Sequence, residues 1–565
     1  MLLRSPELIT TIGLIDNSPL DFHSGKLNSY VRESEREVLG LVRKNRNGLN
    51  NYGPEDLEGQ ELLSWKIYAW YLDDIIRKSE FEHGSYRVNQ ISGVTVKMPQ
   101  FLTDSHNIVN EASVQRYISR LIEFARVIAE VKERVMDDRD NGTIAPDFII
   151  EKALVGLRSF VAQGAKENPL VTTLPAKLKA LSDINATRKE ELFQQVVTIV
   201  EKQVLPQYKQ MIALLEQLLP MTDGTAGIWR LPQGDAIYAA ALRSNTTTRL
   251  TADDIHELGL SEVTRIEVEM EKILTAEGID EGSIVSRLRA LRAMPEHQFA
   301  NTDEGREEQI AYLNEINDTL MSKVSDYFIT IPPQPLEIVR VPKYAQDSSP
   351  GGYYRPPALD GSVPGRFYLN QKNTAAYPRW TLPTLMYHEG SPGHHFQLSA
   401  MQLIENVPMI RKSLGFNAFT EGWALYAEYL VAKDMDIYRN DPLGDMGRLV
   451  DEMFRAVRLV VDTGMHAKRW TRDEAIDYML DKTGKGEAEV TREIERYVVW
   501  PGQATSYKVG QLYLLRMRAM AEEQLGDRFD IREFHEMVLL NGAMPLEILE
   551  ESVSSWIQTQ KATAH

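Results

Sequence analysis

Apolar residues recur at helical spacing, with charges between them, over residues 28–45, 59–80, 107–138, 145–164 and 187–219, and the pattern predicts a helix over each. Thr251, followed by Ala252, Asp253 and Asp254, offers a hydroxyl cap and an acidic first turn to another. The run Leu219-Pro220-Met221-Thr222-Asp223-Gly224 is the expected seam between an N-terminal helical lobe, residues 1–222, and a catalytic helical lobe, residues 223–565. Residues 331–364 break the pattern. They hold 8 of the 26 prolines, which excludes helix and leaves loop with short extended pieces. Arg366-Phe367-Tyr368-Leu369-Asn370 then reads as a strand, which either offers its edge to an extended peptide or packs beneath the helix that follows. The fold class expected is mainly α: a large, two-lobed helical cleft protein with a short strand and loop region beside one chemically loaded helix.

That helix carries His388-Glu389-Gly390-Ser391-Pro392-Gly393-His394-His395, three of the eleven histidines in eight residues. In an ordinary H-E-x-x-H helix, two histidines four residues apart grip a zinc ion and the glutamate activates water. Here Pro392 stands at the fourth position after His388. Along a straight helix His395 would return to the face of His388 only about 10.5 Å further on, at about 1.5 Å per residue. Pro392 has no N–H and clashes with the carbonyl of His388, and Gly393 permits backbone closed to other residues. The expectation is a bulged or broken turn that swings His394 or His395 beside His388. A helix that ends at Ser391 and restarts near Pro392, its histidines incidental, is the competing reading.

A third ligand, commonly a carboxylate, should come from another helix. Phe419-Thr420-Glu421-Gly422-Trp423-Ala424-Leu425-Tyr426-Ala427-Glu428 offers one, with Glu421, Leu425 and Glu428 on one face and Phe419, Trp423, Tyr426 and Leu430 on the other. Glu421 lies 27 residues beyond His394, room for a helix, a connection and the start of a second helix. Solvated surface carboxylates are the alternative for this pair.

The pattern H-E-x-x-P-G-H-H followed by E-G-W-A-x-Y-x-E resembles the large bacterial family called domain of unknown function 885. Gly227-Ile228-Trp229-Arg230-Leu231-Pro232, Asp462-Thr463-Gly464-Met465-His466, and Pro501-Gly502-Gln503-Ala504 continuing to Ser506-Tyr507-Lys508-Val509-Gly510 extend the likeness over most of the chain. That family is similar in outline to all-helical zinc peptidases of the angiotensin-converting-enzyme and thimet-oligopeptidase type. The resemblance implies one zinc ion on His388, His394 and Glu421, because His394-His395-Phe396 aligns with the peptidase motif with His394 in the ligand slot. His395 and Glu428 are then alternative ligands or supports behind them. The Pro-Gly insertion departs from the peptidases. The resemblance also implies a tyrosine and a histidine downstream that stabilise the oxyanion, for which Tyr507 and His466 are the candidates, with Tyr497 ten residues before Tyr507. Asp462, four residues before His466, could orient that imidazole, and Arg455 and Arg458 on the same predicted helix could meet a substrate carboxylate.

Composition narrows the partners. A net charge of −18, with no basic stripe, argues against nucleic acid and anionic membrane surfaces. Hydrophobic content of 43% with 25% charged residues is ordinary for a globular protein, and no run of 18 apolar residues would span a membrane. The absence of cysteine excludes disulfides, thiolate metal sites and cysteine nucleophiles. The first seventeen residues lack an apolar core, and the abrupt start favours an extracytoplasmic protein whose leader has been removed over a cytoplasmic one. The function expected is a zinc-dependent hydrolase, a metallopeptidase acting on short or unstructured peptides, with Glu389 as general base. Hydrolysis of a non-peptide amide or ester is the alternative. A catalytically silent, metal-containing peptide-binding protein is a further one, against which Glu389 counts, since binding alone needs no base.

Overall fold

The structure is a computed structural model that describes residues 4–562 apart from 12, 14, 344, 345, 347, 348 and 358–362. It is mainly α-helical, with one small sheet. The described residues form two compact units, one from residues up to Asn51 with Leu72–Ile237, the other from Tyr52–Tyr71 with Tyr238 onward.

The first unit is built on α1 (Glu111–Asp140), α2 (Asp147–Ala162) and α3 (Leu205–Leu218). Asn110 and Ser113 cap α1 reciprocally, satisfying two of the N–H groups that a helix start leaves open. Phe124, Leu121, Tyr208 and Leu192 are buried at its centre. The single helix expected over 187–219 is interrupted by a π turn at Val200–Val204, just before Pro206. Proline cannot donate to the carbonyl four residues back, and a wider turn accommodates the missing bond.

The second unit carries the chemistry. Its helices are α4 (Ala252–Ala276), α5 (Leu382–Glu389), α6 (His394–Gln402), α7 (Asn417–Lys433), α8 (Pro442–His466), α9 (Glu487–Val499) and α10 (Ser506–Leu525). Thr251 and Asp254 cap α4 as the sequence predicts. Every residue from Glu452 to His466 on α8 is buried, the mark of a helix surrounded on all sides. Two glycine contacts set the packing. At Gly259 an added Cβ would lie 2.8 Å from Leu459 Cβ, so α4 presses on α8. At Gly422 an added Cβ would lie 2.5 Å from Gly510 Cα, so α7 and α10 cross backbone to backbone, one residue after Glu421.

Strands β1 (Leu336–Arg340), β2 (Gly352–Arg355) and β3 (Gly365–Leu369) form the sheet, in the order β1-β3-β2. β1 runs parallel to β3, with Ile338 opposite Phe367, and β2 runs antiparallel to it, with Tyr354 opposite Phe367. Phe367 and Leu369 point inward onto Leu382 and Met386 of α5, while Tyr368 on the other face stacks on Tyr353 at 4.8 Å. The strand expected at 366–370 is therefore present, but not as an edge. β3 is paired on both sides, so its backbone has no free ladder for a peptide, and its burial against α5 is the packing role. Among the described residues no helix is long and apolar enough to cross a membrane.

Candidate metal centre

α5 ends at Glu389, and α6 starts at His394, so the motif is broken by Gly390–Gly393. Gly393 folds back so tightly that an added Cβ would lie 2.1 Å from the carbonyl oxygen of His388 and 2.3 Å from that of Tyr387. Any other residue would push the two helix ends apart. The Trp423 indole N–H on α7 donates to the Pro392 carbonyl at 2.8 Å and ties the insertion to the neighbouring helix. The result brings the rings of His388 and His394 within 4.7 Å, at 84° to each other.

Glu421 completes the group. Its Oε2 stands 3.3 Å from His394 Nε2 and 3.7 Å from His388 Nε2. Two ligand atoms each about 2.0–2.1 Å from a tetrahedral zinc lie about 3.4 Å apart, so the spacing suits one ion. Glu421 Oε2 is also buried with no hydrogen-bond partner among the described residues. The electrostatics agree. Burial opposes the charge on Glu421, yet His394 and His388 hold its carboxyl well below the usual range. Burial likewise opposes a charged His388, but Glu421 and Glu428 outweigh it and hold the imidazole up at about 9. The cluster demands a positive charge, which a proton supplies and which a divalent metal on neutral imidazoles would also supply.

Behind this group, His388 Nδ1 donates to Glu428 Oε1 at 2.7 Å, which leaves Nε2 facing Glu421. Glu428 therefore supports a histidine, and Arg455 Nη2 stands 4.0 Å beyond it. His395 turns the other way. Its Nε2 donates to the Gln334 carbonyl at 3.1 Å, and its Nδ1 accepts from the Tyr354 hydroxyl at 2.9 Å. Both nitrogens are engaged on the sheet side, where burial holds the imidazole down at about 4. Glu389 is 7% exposed, and its carboxylate makes no hydrogen bond or ion pair among the described residues.

The remaining residues singled out in the sequence divide into two places. Tyr507 on α10 lies under Arg458, whose guanidinium carbon is 4.6 Å from the ring centre, and close enough to Arg496 to act on its charge. Arg458 Nε donates to the Tyr497 hydroxyl at 2.9 Å. His466, two turns beyond Arg458, is fully buried, and its Nε2 donates to the Tyr497 carbonyl at 3.0 Å. Asp462 accepts from the Tyr238 hydroxyl at 2.6 Å and from the Gly502 N–H at 3.0 Å. Arg496 and Trp423 were not anticipated as site residues. The Arg496-Tyr497 pair at the end of an amphipathic helix was the available hint for the first.

Two other charged groups are already satisfied. Glu82, His83 and Asp137 come close enough to hold a cation, but Arg32 Nε takes Glu82 at 2.8 Å and Arg134 Nη1 takes Asp137 at 3.2 Å. A cavity of about 590 Å³ borders Lys508, whose ammonium is consumed by Glu452 at 2.6 Å, Glu262 at 2.8 Å and Gln511 at 2.7 Å.

Fold and site together define a mainly α-helical protein with a buried His–His–Glu cluster able to chelate a metal ion. Residues 6–553 match the bacterial proteins of unknown function grouped as domain of unknown function 885, and the chain belongs to that family. It is similar to a proposed lipoprotein from Colwellia psychrerythraea of known crystal structure, at 34% identity over 99% of this chain and 98% of that one, with a TM-score of 0.94. A proposed lipoprotein of unknown function from Shewanella oneidensis shares the fold, at 16% identity over 97% and 96% of the two chains, with a TM-score of 0.75. No curated protein matches the chain.

Proposed function

We propose that the protein is a zinc-dependent hydrolase that cleaves short or unstructured peptides. The observation that carries this reading is the unengaged, largely buried carboxylate of Glu389, directly after His388 in a cluster that fits a metal. A metal that serves only to brace the fold needs no free base beside it. His388, His394 and Glu421 would hold the ion, with Glu428 fixing the His388 tautomer. Zinc bound there would supply Lewis acidity, polarising a carbonyl and acidifying water. Glu389 accepts the proton from the attacking water and returns it to the leaving amine, so that water's oxygen joins the carbonyl carbon and the amide C–N bond breaks. Tyr507 donates to the oxyanion, and His466 acts at one remove by holding the Tyr497 carbonyl. The motif's likeness in outline to helical zinc peptidases supports peptide as the substrate. The related Colwellia protein supports an extracytoplasmic location.

The test is elemental analysis of protein purified without chelators, paired with digestion of a peptide library read by mass spectrometry. One equivalent of zinc and defined cleavage products are expected. Zinc-loaded protein that cleaves no peptide while hydrolysing another amide or an ester would move the activity to a different substrate class.

A further inference from the structure

Arg455 and Arg458 on α8 and Arg496 on α9 gather around Tyr507, one carboxylate away from the histidine cluster. Arg458 is 6% exposed and held on nearly every side. Its guanidinium carbon lies 4.3 Å from the Phe454 ring centre and 4.6 Å from that of Tyr507. Its Nε is used by the Tyr497 hydroxyl and its Nη2 by Glu493 at 3.1 Å. Its Nη1 is buried with no hydrogen-bond partner among the described residues. Unpartnered nitrogens recur on several arginines of this chain, terminal ones at Arg448 and Arg496 among them, so their occurrence alone carries no weight. A terminal guanidinium nitrogen left without an acceptor beside the candidate centre calls for an explanation.

The pairing of charges supplies one. Glu493 serves both Arg458 and Arg496, the latter at 3.2 Å, and Arg455 has Asp451 at 3.1 Å. Glu428, 4.0 Å from Arg455, is committed to His388 at 2.7 Å. Lys485, above the Phe454 ring, is paired with Glu489 at 2.7 Å. Arg458 and Arg496 therefore share one carboxylate, Glu493, and one further anion would balance that pair. The Arg496 side chain is 17% exposed and that of Arg455 10%, so the group is not sealed from a ligand. An extended peptide advances about 3.3–3.6 Å per residue. Glu428 links Arg455 to His388, so the arginines and the cluster lie within the span of a short peptide.

We propose that Arg455, Arg458 and Arg496 form a subsite for the C-terminal carboxylate of a short peptide, which makes the chain an exopeptidase acting at the C-terminal end. The cleavage rests on the peptidase reading above; the carboxylate recognition does not. Planar guanidinium groups match a carboxylate through paired N–H donors.

Binding can be separated from turnover with full-length, zinc-loaded Glu389→Gln protein. Three probes are compared by calorimetry: N-acetyl-tetraalanine as the free acid, the same peptide as its carboxamide, and an N-acetylated tetrapeptide carboxamide with one internal glutamate. The free acid should bind at least about tenfold more tightly than either amide. Arg496→Gln should bring that ratio close to one, and Arg496→Lys should keep part of it. Arg496 is the more exposed position, so these variants serve even where Arg458→Lys fails to fold. Equal affinity for acid and amide, or no binding of any probe, overturns the subsite. A glutamate-bearing amide that binds as tightly as the free acid overturns the C-terminal assignment. Parent protein that keeps the acid preference yet cleaves nothing supports the subsite and sinks the peptidase reading. Parent protein that cuts acid and amide peptides equally well supports the peptidase reading and sinks exopeptidase action.

Discussion

Glu428 accepts the Nδ1–H of His388 at 2.7 Å, and both side chains are buried, at 2% and 4% exposure. This pair decides which imidazole nitrogen faces Glu421. Nδ1 is occupied, so Nε2 is left for the cluster, and the carboxylate raises the basicity of the ring it holds. Replacing Glu428 by Gln keeps an acceptor but removes the charge. Metal affinity should fall by about 10–100-fold, the usual cost of losing such a support. Competition against a zinc chelator measures it, and an unchanged affinity would show that Glu428 matters only for packing.

His394 and His395 are neighbours in sequence with opposite surroundings. His394 Nε2 faces Glu421 at 3.3 Å, whereas both nitrogens of His395 are spent on Tyr354 and Gln334. His394→Ala should therefore abolish zinc binding with a modest effect on folding. His395→Ala should keep the zinc and lose stability by about 1–3 kcal/mol, the scale for leaving buried partners unsatisfied. Paired metal analysis and denaturant titration read both effects, and the reverse order of zinc loss would exchange the two roles.

What the sequence made legible follows from how local each signal is. His388, Glu389 and His394 lie within seven residues, and Pro392 and Gly393 announce a broken turn before any fold is known. Glu421 and Glu428 share a face because seven residues make nearly two turns. The sheet order was not legible, since β1 and β2 are short strands in a proline-rich stretch, and only their pairing makes β3 central. Nor was the α7–α10 crossing. Gly422 and Gly510 are 88 positions apart, and neither glycine signals contact until the other is beside it. Arg496 was missed for the same reason, because its meaning depends on α9 lying against Tyr507.

The broken turn makes its own prediction. Gly393→Ala would place a methyl group 2.1 Å from the His388 carbonyl oxygen, so the α5–α6 junction must open. Forced shifts of this kind cost about 1–3 kcal/mol, and here they would move His388 away from His394. Zinc affinity should drop along with stability. Gly156→Ala, a helical position with nothing within 4 Å, should be neutral or stabilising and serves as the control. Full zinc binding by Gly393→Ala would mean the junction tolerates a side chain.

Stability should also depend on pH through Asp462. Burial pushes its carboxyl up to about 7, although the Tyr238 hydroxyl and the Gly502 N–H favour the charged form. In the unfolded chain an aspartate titrates near about 3.9. Between roughly pH 4 and pH 7 the folded protein keeps this proton while the unfolded chain has lost it, so this group's contribution weakens as pH rises. Asp462→Asn can accept the same two hydrogen bonds without ionising. Thermal melts at pH 4.5 and 7.5 should show the variant gaining on the parent as pH increases. A gap that is the same at both pH values would place the carboxyl in an ordinary range.

The decisive separation is between holding a metal and using it. Glu389→Gln preserves size and polarity at a buried side chain whose carboxylate makes no hydrogen bond or ion pair among the described residues. Zinc content should be unchanged while turnover of the best peptide falls by about 10²–10⁴-fold, the range for general acid–base catalysis. Tyr507→Phe removes one hydroxyl and should lower turnover by about 10²–10³-fold at constant zinc, as loss of an oxyanion donor does. Circular dichroism must show both variants folded, because Tyr507 also stacks on Arg458 at 4.6 Å. Should Tyr507→Phe raise KM and leave kcat alone, the hydroxyl would belong to substrate binding at the arginines, not to the oxyanion. Parent-level turnover in Glu389→Gln would remove the base from the mechanism, since no other carboxylate directly follows a histidine of the cluster.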